Sequence, residues 1–195
     1  MTNERQRPRV YLAGPEVFFP DPVAAGAEKK RLCCQHGYEG VYPLDNVIEG
    51  AEHLSPQELA RRISHGNERL MRSCDLLIAN CTPFRSVSMD VGTAFEIGFM
   101  QALGRPVLGY SNTPTDYAAR VRATTDAVSH LWDAESNTAD IEDFGLAENL
   151  MIAVAITEAS GLFVTEEVPA ERMLSDLTGF CRCLERARAL ITGKA

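Results

Sequence analysis

The stretch DLLIANCTPFRSVSMDVGTAFEIGFMQALGRPVLGY, residues 75–110, decides the fold. Asp75-Leu76-Leu77-Ile78-Ala79-Asn80 is short and apolar after its first residue, so it reads as a buried strand. A loop with Pro83 and three serine or threonine residues follows. Val91 to Leu103 is helical and stops at Gly104. Pro106-Val107-Leu108-Gly109-Tyr110 is again a short apolar run.

The same alternation extends toward the N-terminus. Val10-Tyr11-Leu12-Ala13-Gly14 reads as a first buried strand ended by Gly-Pro. Asp21 to Gln35 reads as a helix with Pro22 near its start, and Gly40 to Leu44 as a short strand. Ser55 is a helix N-cap, Pro56 follows at the first helical position, and Glu58 completes a capping box. That helix runs to about Ser73. Residues 111–147, with Asn112, Pro114 and an acidic stretch from Asp133 to Asp143, read as loops with a short element around 126–132. Glu148 to Glu158 and Ala170 to Leu190 read as closing helices. Strands alternating with helices predict a parallel sheet covered on both faces, and ligands of such sheets sit beyond the carboxyl ends of the strands. No repeat, low-complexity tract or linker divides the chain, so 1–195 is expected to form a single domain, with 153–195 as its C-terminal helical part.

The bulk properties narrow the partners. The 195 residues are 45% apolar and 24% charged, with a formal charge of −8. A protein that grips nucleic acid carries a basic stripe to neutralise phosphates; none is present, so a small-molecule partner is expected and no nucleic acid. No run of about 18 apolar residues predicts a membrane span, and residues 1–9 lack the apolar core of a signal peptide. A cytoplasmic location is expected. Six cysteines and four histidines show no zinc or thioredoxin spacing. The cysteines read as reduced packing residues, and neither a metal nor an organic cofactor is expected.

Within residues 75–110 one carboxylate is out of place. Ala94 to Met100 is apolar on every side except at Glu96, and a helix apolar all round is a buried one. A carboxylate there is costly unless paired, hydrogen-bonded or neutralised. Glu96 also lies in the first turns, where the helix dipole favours an anion. A dry carboxylate beside positive potential suits a nucleophile or a general acid; the plainer alternative is a dipole partner. Asp90 has a capping alternative, Tyr11 a core alternative, and Asn149 a capping alternative. Asp75 either finishes the preceding helix or points inward. Gly92 and Gly98 either serve packing or let a ligand approach the backbone.

Tyr11-Leu-Ala-Gly14-Pro15, Asp75 heading a strand, Asp90-Val-Gly92-Thr-Ala-Phe-Glu96-Ile-Gly98 and Asn149-Leu150-Met151 occur in that order. Together they resemble the nucleoside 2-deoxyribosyltransferases, over roughly residues 9–152. The resemblance implies an α/β fold: a flavodoxin-like, doubly wound parallel sheet of about five strands with helices on both faces. It implies that Glu96 is the nucleophile attacking C1′ of deoxyribose and that Tyr11 orients and polarises it. Asp75 and Asp90 would contact the base and handle its proton. Gly14, Phe18 (or Phe19) and Gly92 would line the substrate site. Asn149 and Met151 would be lent by a neighbouring subunit, which makes a homo-oligomer with shared sites the expected working unit.

The expected activity is transfer of a 2-deoxyribosyl group between purine or pyrimidine bases through a deoxyribosyl-glutamate, with a deoxynucleoside and a free nucleobase as substrates. Two alternatives stand beside it. One is a 2′-deoxynucleoside 5′-monophosphate N-glycosidase, in which Arg85, Ser86 and Ser88 hold the phosphate. The other is a non-catalytic nucleotide-binding module.

Overall fold

The computed structural model describes residues 7–128 and 140–192. Five parallel strands form one sheet: β1 (Arg9–Ala13), β2 (Glu39–Val41), β3 (Leu76–Asn80), β4 (Val107–Ser111) and β5 (Phe163–Thr165). Their order is β2-β1-β3-β4-β5, the flavodoxin-like doubly wound arrangement, whose strand order reverses between β1 and β3. Tyr11 pairs with Leu77, and Ala79 with Gly109.

Alternation along β1 sends residues to opposite layers. Val10 and Leu12 pack with Cys33 of α1 (Pro22–Gln35) and with Phe180, Cys183 and Leu184 of α6 (Thr178–Thr192). Tyr11 and Ala13 face the other layer, with Met71 of α2 (Pro56–Arg72), Ile97 and Met100 of α3 (Val91–Ala102), and Ala155 and Ile156 of α5 (Leu150–Ser160). Each large apolar side chain so buried contributes on the order of 1.5–3 kcal/mol. Side-chain caps start the helices: Asp21 accepts from Ala24, Ser55 from Glu58 and Asn149 from Met151.

Several boundaries differ from expectation. β2 stops at Val41 because Pro43 turns the chain into a 3-10 turn, Pro43–Asp45. The capping box is only half formed: Ser55 caps, while the Glu58 carboxylate takes hydrogens from Arg61 and Arg62. A helix, α4 (Tyr117–Val128), occupies a region expected to be loop. Its start is marked by Asp116, which accepts from the Ala119 backbone at 2.7 Å. The element expected around 126–132 falls partly on the end of α4, and its remainder lies outside the described residues. The C-terminal part is not purely helical, since β5 intervenes between α5 and α6. Residues 170–177 form a 3-10 turn, a further turn and a short irregular lead, because Asp176 accepts from the Thr178 backbone and starts α6 only there.

Candidate active site

Tyr11 and Glu96 meet across the interface between β1 and α3. Strand alternation aims the fully buried Tyr11 toward α3, whose second turn carries Glu96. The Tyr11 hydroxyl donates to Glu96 Oε1 at 2.6 Å. Burial raises the Glu96 carboxyl to about 7; the Tyr11 hydrogen bond opposes that rise, while the charges of Asp90 and Glu16 add to it. Burial, then the charge of Glu96, pushes the Tyr11 hydroxyl far above its usual value, so it remains a donor. The result is a carboxylate poised near neutrality and held in one orientation, as a nucleophile requires.

Asp90 caps α3. Its Oδ2 accepts from the Thr93 backbone at 3.1 Å and from the Thr93 hydroxyl at 3.4 Å, and it lies close enough to Glu96 to disfavour that group's charge. Capping and a place beside Glu96 are therefore compatible. Gly92 is exposed in the first turn, with room for a Cβ limited only by Asp90 Oδ2 at 2.9 Å. Gly14 answers a close approach: a Cβ there would stand 2.0 Å from Glu16 Oε2 and 2.9 Å from Asn80 Cβ.

Asp75 is not brought to this cluster. It precedes β3 at the amino end of the sheet, where its Oδ2 accepts from the Arg9 backbone at 2.8 Å and its own N–H donates to the Arg9 carbonyl. Ligands of this fold sit at the opposite end. The carboxylate splices the starts of β1 and β3.

Beyond the carboxyl ends of β1 and β3, two loops meet through aromatic rings. Phe18 stacks on Phe84 with ring centres 5.9 Å apart and planes 13° apart, and Phe19 is tilted 49° to Phe84. The Arg85 guanidinium covers both rings of the stack. In the same loop Ser86 donates to the Ser88 carbonyl and accepts from its N–H, while the Ser88 hydroxyl donates to Glu148 Oε1 at 2.7 Å.

Arg120 of α4 binds this loop to the approach to α5. Its guanidinium donates to Val87 O at 2.6 Å, Thr115 O at 2.5 Å, Ala147 O at 3.0 Å and the buried Glu148 Oε2 at 3.0 Å. Asn149 caps α5 and donates to Glu142 Oε2 at 2.8 Å. Among the described residues none of its side-chain hydrogen bonds reaches Tyr11, Asp90 or Glu96. Met151 is 70% exposed. Helix α3 is not buried all round in the single chain: Val91 and Phe95 are exposed, Phe95 by 59%, and Val154 of the neighbouring α5 is partly open as well. Together with Met151 they leave an apolar face across two adjoining helices.

Four residues escaped the sequence reading. Lys29 of α1 and Glu16, 1% and 3% exposed, form an ion pair beneath Gly14. Asn80 also donates to Glu16 Oε1 at 2.9 Å. Buried charges are almost always paired, and the place of Glu16 two residues after Gly14 was the available signal. Asn67 lies four residues before Met71 on α2 and so on the same helix face. Because α2 returns against the strand direction, Asn67 is nearer the carboxyl ends of the sheet. Its Oδ1 is buried without a hydrogen-bond partner among the described residues, leaving an acceptor available to a ligand. Among the described residues, no group of three or more His, Cys, Asp or Glu is arranged to hold a metal, and no helix is long and apolar enough to cross a membrane.

The chain matches the sequence model of the nucleoside 2-deoxyribosyltransferase family over residues 10–151 and belongs to that family. A 2-desoxiribosyltransferase from Leishmania mexicana has a similar structure, with a TM-score of 0.58 and 29% identity over 91% of this chain and 97% of that one. A conserved protein from Enterococcus faecalis shares the fold, with a TM-score of 0.55 and 17% identity over 93% of this chain and 99% of the other. An uncharacterised protein of Schizosaccharomyces pombe is 39% identical over 118 residues, 60% of this chain; the matched part spans 56% of that relative's length.

Proposed function

We propose that the protein transfers a 2-deoxyribosyl group between nucleobases through an ester on Glu96. The observation that carries this reading is the Tyr11–Glu96 hydrogen bond, which aims a desolvated carboxylate poised near neutrality. Glu96 attacks C1′, the C1′–N bond breaks, and its electron pair departs with the base. Asp90, whose charge is one of the influences that raise Glu96, is assigned the passage of the base's proton; the role expected of Asp75 moves to it. A second base then attacks C1′ from the opposite face, gives up its proton, and Glu96 leaves as a carboxylate. Two displacements retain the β configuration, as in a retaining glycosidase.

Gly14 and Gly92 bound the sugar's approach, and Phe18 offers a face to the base. Asn149 and Met151 of one subunit are assigned to the site of another, supported by the open apolar face on α3 and α5. We further assign one working domain and a cytoplasmic role in nucleotide salvage, in keeping with six unpaired cysteines.

A phosphate-binding hydrolase is disfavoured by the commitments of two of its three expected ligands. The Ser86 and Ser88 hydroxyls are engaged within the loop and with Glu148, and a phosphate there would meet the Glu148 carboxylate. A binding module has no use for a carboxylate kept dry at a cost. A base-exchange assay with a deoxynucleoside and a free base, run beside a deoxynucleoside 5′-monophosphate in water, separates the three. Exchange is expected, with a mass adduct on Glu96 after a 2-fluoro-2-deoxynucleoside. Hydrolysis of the monophosphate alone, or an adduct elsewhere, would overturn the assignment.

A further inference from the structure

We propose that Arg85, held over Phe18 and Phe84, selects the nucleobase, and that the bases it favours turn a carbonyl oxygen toward it, 6-oxopurines first. The inference rests on the transferase reading above and names its substrate class.

Three observations converge on Arg85. The first is backbone strain: its φ is 58°, and no other non-glycine residue among those described has a positive φ. A bulky residue in the left-handed region costs energy and persists where the surroundings enforce it, often at ligand clamps. The second is the side chain's position. The guanidinium carbon lies 5.0 Å from the Phe18 ring centre and 4.7 Å from that of Phe84, and among the described residues no carboxylate pairs with it. The third is the placement of the platform. Phe18 follows β1, the strand of Tyr11, while Phe84 and Arg85 follow β3 and lead through Asp90 to Glu96. The aromatic surface thus stands over the point where strand order reverses, on the two segments that carry the reacting pair.

A flat base has two needs that this surface meets. Its face requires an aromatic partner, and the exposed part of Phe18 supplies one. Its edge requires polar partners, and a guanidinium offers donors only. The O6 and N7 acceptors of a 6-oxopurine match the planar fork with two parallel hydrogen bonds, whereas the 6-amino group of adenine sets donor against donor. The nearby hydroxyls of Ser86 and Ser88 are already committed, whereas the exposed Arg85 guanidinium stays open to a ligand.

The test uses the whole protein and the change Arg85→Gly, which removes the fork and suits a φ of 58°. Loss of the fold is therefore not expected. Arg85→Gln, which keeps a planar group but adds an acceptor, is the second variant. Hypoxanthine and adenine are titrated calorimetrically into each protein, and offered together at equal concentration with 2′-deoxyguanosine or thymidine as donor. The wild type is expected to favour hypoxanthine by about tenfold or more. Arg85→Gly should bring the affinity and product ratios close to one, and Arg85→Gln should shift both toward adenine. A wild type that favours adenine or binds neither base, or a ratio unchanged in Arg85→Gly, overturns the proposal. A calorimetric preference that depends on Arg85 without product from either donor would sink the transferase reading and leave the base selection standing.

Discussion

The Tyr11 hydroxyl stands 2.6 Å from Glu96 Oε1 and donates to it. That bond favours the ionised form of Glu96, whereas burial, Asp90 and Glu16 oppose it. Tyr11→Phe should therefore raise the carboxyl above about 7. The acid limb of kcat/KM for base exchange should move to higher pH, with about a tenfold loss at pH 6 and a smaller one at pH 8. A profile of unchanged shape would reduce Tyr11 to a packing residue.

The same imbalance affects stability with a definite sign. A carboxyl raised from 4.5 to about 7 in the folded protein binds its proton more tightly folded than unfolded. Stability is then lost as pH rises from the unfolded value through the folded one. Glu96→Gln removes that loss. The variant should match the wild type at pH 4 and exceed it at pH 8 by up to about 3 kcal/mol in urea unfolding. A difference that is constant across this range would contradict the account of Glu96 as an ion held in an unfavourable place.

Lys29 and Glu16 neutralise each other in the dry layer beneath Gly14. Lys29→Met strands a buried carboxylate and should cost about 3–5 kcal/mol. Adding Glu16→Gln should restore more than half of that, because the second change removes the charge the first left unpaired. Additive losses in the double variant would mean that the two groups act separately.

The open face of Val91, Phe95, Met151 and Val154 predicts a partner subunit. Glu96→Ala and Asn149→Ala chains, each inactive, should regain exchange when mixed under conditions that allow subunit exchange. Up to about a quarter of the sites would then carry both intact residues, if subunits mix at random in dimers. Phe95→Glu should yield a monomer by light scattering. Full activity in that monomer, or no recovery in verified hybrids, would show that each chain builds its own site.

The parts of this architecture legible in the sequence are those with long or unusual patterns. Apolar runs at 10–13, 76–80 and 107–110 marked the central strands, and a lone carboxylate in an apolar helix marked Glu96. β5 has three residues, too short for alternation to register. Helix α4 was hidden because Asn112 and Pro114 signal a turn, and the cap at Asp116 lies just past them. Asp75 misled because a carboxylate at a strand start looks the same whether it enters a site or fastens two backbones. Lys29 sat among the charges of a polar helix, indistinguishable from Lys30 beside it, which pairs with Asp45. The outward tilt of Phe95 was equally illegible, since composition alone cannot say which side chains of an apolar helix turn away from the core.

Arg120 has a mechanical consequence. Four hydrogen bonds from its guanidinium fasten the β3–α3 loop at Val87, the turn before α4 at Thr115, and the lead into α5 at Ala147 and Glu148. Three pieces of chain far apart in sequence are riveted at one point, so none can swing without shearing bonds to the others. A displacement at the head of α5, where Met151 is exposed, would therefore strain the bonds that hold the loop of Phe84 and Arg85. Lysine in that place would keep the charge but hold fewer of these acceptors at once, and the three pieces would then loosen independently, each exchanging its amide hydrogens at its own rate.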